Sequence, residues 1–353
     1  EKGRQAIRYL TDRSLTEETI VHFGLGYANK YSDDLSRYLK MQGYSDELIV
    51  KSGLASVDEK QGIHDKFWNR VMFPIMDVNS RVIGFGGRVM GDAKPKYLNS
   101  PETPIFDKSR NLYGLNRART SRKSYFLLCE GYMDVIAMHQ AGFTNAVASL
   151  GTAFTSQHAM LIKRYTDQVI LTYDSDGAGV KAALRAIPIL KEVGISCKVL
   201  NMKPYKDPDE FIKNMGAEAF QERIDQAQNS FLFEIEVLKR DYNLEDPEQK
   251  TNFYNAVARK LLEFSEALER DNYTQAVARE QFIPYQELKQ LVSRLSSRIV
   301  PGAEQTQTRE EFSPRERKKE KEDGARQSQR LLLTWLIEDP KLFVKIEGII
   351  TPD

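Results

Sequence analysis

The chain has 353 residues, 41% of them hydrophobic, with 51 basic side chains against 50 acidic ones and a net charge of +1. That exceeds one ordinary core of roughly 100 to 200 residues, so two or three folded units are expected. A charge so balanced excludes a uniformly basic nucleic-acid binder and leaves only one whose charge is sorted into patches.

Cys129 and Cys197, the two cysteines, lie far apart in apolar company, which excludes a disulfide framework and suits a reducing cytosol. His22, His64, His139 and His158 are scattered, and no Cys or His pair has the short spacing of a zinc site. Zinc is therefore not expected in this chain, and a metal would be held by oxygen. No apolar run approaches the ~18 residues of a membrane span, and EKGRQAIRYL lacks the apolar core of a secretion signal. A cytoplasmic protein is expected.

Along the chain, residues 1–121 read as a mixed α+β unit. Helical periodicity occupies Glu17 to Gly24 and Asp33 to Gly43, followed by strand-like VMFPIMDV (71–78) and RVIGFGGRV (81–89) around a turn at Asn79 and Ser80. From 122 to 212 the apolar runs SYFLLC, NAVAS, QVILTY and SCKVLNM alternate with helical stretches near 133–141, 155–164 and 177–193. Alternation of that kind implies crossover connections and a largely parallel sheet covered on both faces. Residues 213–297 show no strand signal, and amphipathic stretches such as FLFEIEVLKRDY predict a helical bundle. Residues 298–328 have the composition of a charged linker, and 329–353 turn apolar again as the start of a further domain. The expected fold class is α/β plus α, in three subdomains.

In a parallel α/β sheet, ligands bind beyond the carboxyl ends of the strands. Here those ends are acidic. YFLLC runs into Glu130, with Asp134 one helical turn on; VILTY runs into Asp174, with Asp176 two residues later in DSDGAG; after KVLNM comes KDPDEF, with Asp207 and Asp209. An Asp after a strand is most often a helix N-cap, as Asp134 and Asp209 would be, but capping does not explain an extra acid in each of three clusters. Packing six carboxylates at one edge requires cations, and Mg²⁺ is the hard ion that takes carboxylate and phosphate oxygens. A calcium loop is excluded, since the twelfth position from Asp174 is Arg185 rather than Glu.

EGYMD (130–134), DSDGAG (174–179) and KDPDEF (206–211) together resemble the TOPRIM fold of primases, topoisomerases and some nucleases. RVMFPIMD (70–77), RVIGFGGRV (81–89), PKYLNSPET (95–103), LYGL (112–115) and VASLGT (147–152) extend the resemblance, over roughly residues 1–297, to DnaG-type bacterial primases. The resemblance implies template-directed synthesis of RNA primers on single-stranded DNA from ribonucleoside triphosphates, by metal-dependent nucleotidyl transfer. Glu130, Asp174, Asp176, Asp207 and Asp209 would hold two or more Mg²⁺ ions, or Mn²⁺ in their place, with Asp134 in support; Glu130, Asp174 and Asp176 would be catalytic. It also implies a replicative helicase as partner, through a domain beginning at 329–353, and inhibition by alarmones such as ppGpp. A TOPRIM nuclease or topoisomerase, and a non-catalytic single-strand-binding scaffold, are the competing readings.

The charge is sorted as such a function needs. Between Lys66 and Lys123 twelve bases face four acids, an excess of eight, whereas Leu200 to Leu295 holds eighteen acids and thirteen bases. GFGGR lacks the lysine and serine of a P-loop, and its glycines alone would fit a strand bend. Within the family pattern Arg88, Lys96 and Lys108, with Arg13, would grip triphosphate or template, while Lys66, Arg70 and Asn99 would line the DNA path.

Overall fold

The computed structural model describes residues 3–58 and 62–299. A compact unit runs through to Leu295; nearly all of the expected linker and the whole of the expected fragment at 329–353 lie outside the described residues.

Eleven strands are described: β1 Gly26–Ala28, β2 Ala55–Asp58, β3 Gly62–Asp65, β4 Arg70–Met76, β5 Val82–Val89, β6 Tyr97–Asn99, β7 Phe126–Cys129, β8 Ala146–Ala148, β9 Gln168–Leu171, β10 Ser196–Val199 and β11 Gln228–Asn229. The N-terminal sheet is antiparallel in the order β1-β4-β5-β6, with β2 and β3 a separate hairpin. Asp77 sets the β4–β5 turn by accepting the Asn79 and Arg81 backbone N–H groups, both at 2.9 Å, and pairing with the Arg81 guanidinium at 2.8 Å. Alternation along β4 sends Val71, Phe73 and Ile75 inward, all fully buried.

The second sheet has the order β11-β10-β9-β7-β8, parallel from β10 to β8. It is buried on both faces, which is why β7 reads as an unbroken apolar run. Leu127 and Cys129 face one core, where Val71, Phe73, Ala6 and Leu10 of the N-terminal part meet the helices Tyr132–Gln140 and Pro208–Asp225. Phe126 and Leu128 face another, filled by Ala183, Ala186 and Leu190 of the helix Gly177–Glu192. One continuous core thus locks the N-terminal sheet to one face of the parallel sheet. A third core, with Ile235, Phe253, Val257, Leu261 and Val277, holds the helices Ser230–Lys239, Pro247–Leu261, Ala267–Glu280 and Tyr285–Ile299 together.

The expected helices and parallel strands are present within a few residues of their sequence bounds. One correction concerns 213–297, where no strand was expected: β11 pairs antiparallel with β10 through Lys198↔Asn229 and Val199↔Gln228. Two residues are too short to show a period, so the pairing comes from the edge of β10 rather than from local sequence.

The glycines of β5 serve packing. A Cβ on Gly86 would lie 2.6 Å from Tyr132 Cε2, and one on Gly87 would lie 2.9 Å from Phe67 and Arg70. Tyr132 in turn stacks on Phe73 with ring centroids 5.4 Å apart. Gly86→Val is therefore expected to destabilise the protein by roughly 1–3 kcal/mol through overpacking, read as a lower urea midpoint at unchanged slope. The same substitution in a Tyr132→Leu background should cost less, because the two positions share the contact.

Candidate active site

The acid-bearing loops follow β7, β9 and β10, three neighbours in the sheet, so the chain brings their first residues to one edge. Glu130 follows β7 directly and its Oε1 accepts the Asp174 backbone N–H at 3.0 Å, joining two of the three loops. The third is tied in by Lys206, whose Nζ lies 3.2 Å from Asp174 and 3.9 Å from Asp176, and whose carbonyl accepts the Ser175 N–H at 2.8 Å. Gly179 makes this convergence possible: a Cβ there would stand 2.1 Å from the Asp174 carbonyl oxygen and 2.8 Å from Glu130 Oε1.

Several of the acids also cap helices. Asp176 accepts the N–H groups of Ala178 and Gly179, at 2.9 and 3.0 Å, and Asp207 accepts that of Glu210 at 2.8 Å. Asp134 reaches back to the Gly131 N–H at 3.1 Å. Asp209, expected as a possible cap, instead lies buried one residue inside the helix Pro208–Asp225, 2.7 Å from Lys213 and 3.8 Å from Arg13.

Electrostatics register the crowding. Burial first, then the neighbouring Asp207 and Asp174, push the Asp134 carboxyl up to about 8. Glu130 is raised by burial and by Asp174, and Asp174 by burial, in spite of Lys206. Asp176 is lowered, chiefly by the Gly179 N–H. The acids thus act on one another across all three loops. They do not, however, close on a point: among the described residues no three Asp, Glu, His or Cys side chains are grouped as an ion cage, and the Lys206 ammonium stands between Asp174 and Asp176. An all-carboxylate donor set carrying unneutralised charge fits a hard divalent cation, and one that keeps most of its waters needs only one or two carboxylates at a time.

The basic residues divide into two groups. Arg88 lies with its guanidinium 4.1 Å from the centre of the Tyr9 ring, and Arg13 lies 5.8 Å from the same ring. Arg13 also approaches Asp209, so this cluster adjoins the acids. Tyr97 beside it is pushed up to about 12 by burial and by Tyr9. Lys96 is exposed on the approach to β6, and Lys66 and Lys108 are half-buried. Arg70 and Asn99 have different places from those expected. The Arg70 guanidinium is buried and donates to the carbonyls of Gly87 and Pro95, at 3.2 and 3.0 Å, leaving it no surface for a strand. Asn99 donates to the Leu150 carbonyl at 2.8 Å and accepts the Tyr132 hydroxyl, clamping β6 to the parallel sheet. Sequence reasoning missed Lys206, Tyr132 and Tyr9; the first two sit inside the motifs KDPDEF and EGYMD, where attention to the non-acidic positions would have found them.

A parallel sheet with acids after three adjacent strands, joined through one core to an antiparallel basic sheet, defines a Toprim-type nucleic-acid protein. Family models agree in their descriptions: "DNA primase catalytic core, N-terminal domain" over residues 1–119, "Toprim-like" over 127–212, and "DnaB-helicase binding domain of primase" over 231–280. The last falls on the helical bundle, upstream of the segment at 329–353 where sequence reasoning began such a domain. A DNA primase of Clostridium acetobutylicum is 40% identical over 294 residues, 83% of this chain and 49% of that protein; one of Halalkalibacterium halodurans is 37% identical over 82% and 49%. The chain spans about half the length of these curated relatives. Among solved structures, a DnaG primase catalytic domain bound to single-stranded DNA matches with a TM-score of 0.68 at 36% identity, covering 79% of this chain and 91% of that one. A DNA primase domain from Pseudomonas aeruginosa matches at 0.69 and 36%, covering 82% and 92%. The chain belongs to the DnaG-type family of bacterial DNA primases.

The raised pKa of Asp134 has a consequence for stability. Unfolded, the group titrates near 3.8; folded, near 8. Between those values the folded state holds the extra proton, so stability conferred below pH 4 is lost as pH rises toward 8. In metal-free protein kept with a chelator, Asp134→Asn should melt higher than the parent at pH 8, with the difference shrinking toward pH 4. A parent and variant of equal melting temperature at both pH values would show that the carboxyl is not enclosed as described.

Proposed function

We propose that this chain is the RNA-polymerising core of a primase, copying single-stranded DNA into short primers from ribonucleoside triphosphates. The observation that carries this reading is the meeting of an acidic sheet edge with a basic aromatic cluster at Arg13 and Asp209, 3.8 Å apart. Transfer of a nucleotidyl group needs both. The basic side neutralises the triphosphate, and the acidic side handles the hydroxyl that attacks it.

The reaction assigned is attack of a ribose 3′-oxygen on the α-phosphorus of an incoming nucleotide. A new phosphorus–oxygen bond forms, the bond to the bridging oxygen of pyrophosphate breaks, and the 3′-hydroxyl proton is released. Mg²⁺ bound at Glu130, Asp174, Asp176, Asp207 and Asp209, or Mn²⁺ in its place, would supply charge stabilisation of the attacking and leaving oxygens. Glu130, less acidic than usual because it is buried beside Asp174, is suited to take the proton. Arg88, held face-on to Tyr9, and Lys96 and Lys108 would orient the triphosphate, with Arg13 linking the Arg88–Tyr9 pair to Asp209. Lys206 holds Asp174 and Asp176 together, at carboxylates that would otherwise be free to hold a cation.

The exposed basic stretch would carry the template, as the single-stranded DNA on a 36% identical catalytic domain supports. Residues 231–280 would meet the replicative helicase, in line with the description of the family model they match. The triphosphate site would also admit guanosine alarmones such as ppGpp as competitors. The setting for all of this is the replication fork in the cytoplasm; among the described residues no helix is long and apolar enough to cross a membrane.

With single-stranded template, ribonucleotides and Mg²⁺, the chain should make RNA oligomers. Asp174→Ala should lower synthesis roughly a hundredfold or more, with single-strand affinity nearly unchanged. Lys96→Ala should weaken nucleotide or DNA engagement by an amount that shrinks as salt rises. Nicked or relaxed DNA in place of RNA oligomers would replace this reading by the nuclease or topoisomerase one, and unchanged synthesis by Asp174→Ala would reject the acid assignment.

A further inference from the structure

Glu130 has a second neighbourhood. It opens into a cavity of about 340 Å³ lined by Ser149, Thr152, Phe154, Tyr173 and Arg185, beside the Leu150–Gly151 segment that meets Asn99 of β6. The helix Gly177–Glu192 supplies Arg185 and, on the same wall, Ala182; its Ala183, Ala186 and Leu190 fill the core on the far face of the parallel sheet. Arg88, Tyr9 and Arg13 do not line it; the N-terminal helix Arg4–Asp12 buries Ala6 and Leu10 in the core shared with β4. The acidic edge therefore adjoins both a cationic cluster and an aromatic cavity with its own cation.

The chemistry of that cavity is specific. Two aromatic rings with small Ala182 beside them offer a slot for a planar base, stacking being worth about 1–3 kcal/mol per base and tolerant of sequence. Ser149 and Thr152 carry hydroxyls able to donate to or accept from ribose oxygens. Arg185 is exposed and has no hydrogen-bond or ion-pair partner among the described residues, a fork suited to a phosphate diester. A cavity of 340 Å³ is of the size that takes a single nucleoside.

We infer that this cavity is the acceptor subsite: it binds the 3′-terminal ribonucleotide of the growing strand, base against Phe154 and Tyr173 and phosphate on Arg185, and presents the 3′-hydroxyl to Glu130. The inference deepens the polymerase reading and rests on it. It assigns the two reactants to separate places beside the acids, with the triphosphate at Arg88. In the transfer the 3′-oxygen bonds to the α-phosphorus, pyrophosphate leaves with the bridging-oxygen electron pair, and the hydroxyl proton passes to the Glu130 carboxylate. Arg185 and Phe154 act as positioning residues for the acceptor alone.

The test uses the full chain and a short RNA, annealed to a DNA template, whose 3′ end is 4-thiouridine. Irradiation should crosslink it to residues 149–154 or 182–185, located by mass spectrometry of the digested protein. Arg185→Ala should raise the KM for the annealed primer about tenfold while leaving the KM for the incoming nucleotide within about twofold. Ala182→Trp, which fills the slot, should abolish the crosslink; the exposed Arg185 variant guards against a folding defect. Crosslinks confined to 82–99, no crosslink at all, or equal rises in both KM values would overturn the assignment. The crosslink does not depend on catalysis, so a wild-type chain that crosslinks as expected but makes no RNA would sink the polymerase reading, and with it the acceptor role, while leaving the cavity a binding site for an RNA 3′ end.

Discussion

Mutual repulsion among carboxylates at one sheet edge is the constraint around which the rest is organised. Glu130, Asp134, Asp174, Asp176, Asp207 and Asp209 are brought there by three adjacent parallel strands, and burial makes several of them reluctant to ionise. Within the chain this charge is offset locally: Lys206 bridges Asp174 and Asp176, Lys213 and Arg13 pair with Asp209, and helix N-termini take Asp176 and Asp207. Each of these partners is an ammonium, a guanidinium or a backbone amide, none of which has the charge density of a divalent ion. The arrangement is one in which protein cations and helix ends keep the acids folded together without filling their coordination.

That requirement explains why the N-terminal sheet is fastened so firmly. Phe73 stacks on Tyr132, Tyr132 donates to Asn99, and Asn99 donates to Leu150. Gly86 leaves the space in which the Tyr132 ring lies. The Tyr of EGYMD, in the acidic motif itself, is thus the post on which the basic sheet is hung. Motion between the two would shift Arg88 and Arg13 relative to the acids, and a shared core with a buried hydrogen-bond chain resists that motion. Arg70, buried under the β5–β6 hairpin, belongs to the same bracing rather than to the groove.

Much of the candidate site was legible beforehand for a simple reason. The rule that ligands bind beyond strand carboxyl ends needs only the strands to be found, and YFLLC, QVILTY and SCKVLNM announce themselves as apolar runs. The acids after them follow by position. Arg88, Lys96 and Lys108 were legible as charge, but charge carries no direction, and so Arg70 and Asn99 were grouped with them although the fold turns both to internal partners. Tyr9 lies 79 positions from Arg88 in the chain, and no local pattern announces a ring that will lie under a guanidinium.

The amino-acid sequence by itself determined the alternation of strands and helices and the acidic loops, because these follow from periodicities of two and 3.6 and from residues at strand ends. Only the tertiary structure decided the strand order, the pairing of β11 with β10, the insertion of Lys206 between two carboxylates, and the cavity beyond Glu130. Those features arise from contacts between segments tens of residues apart, where packing space and mutual charge, rather than local preference, select the outcome.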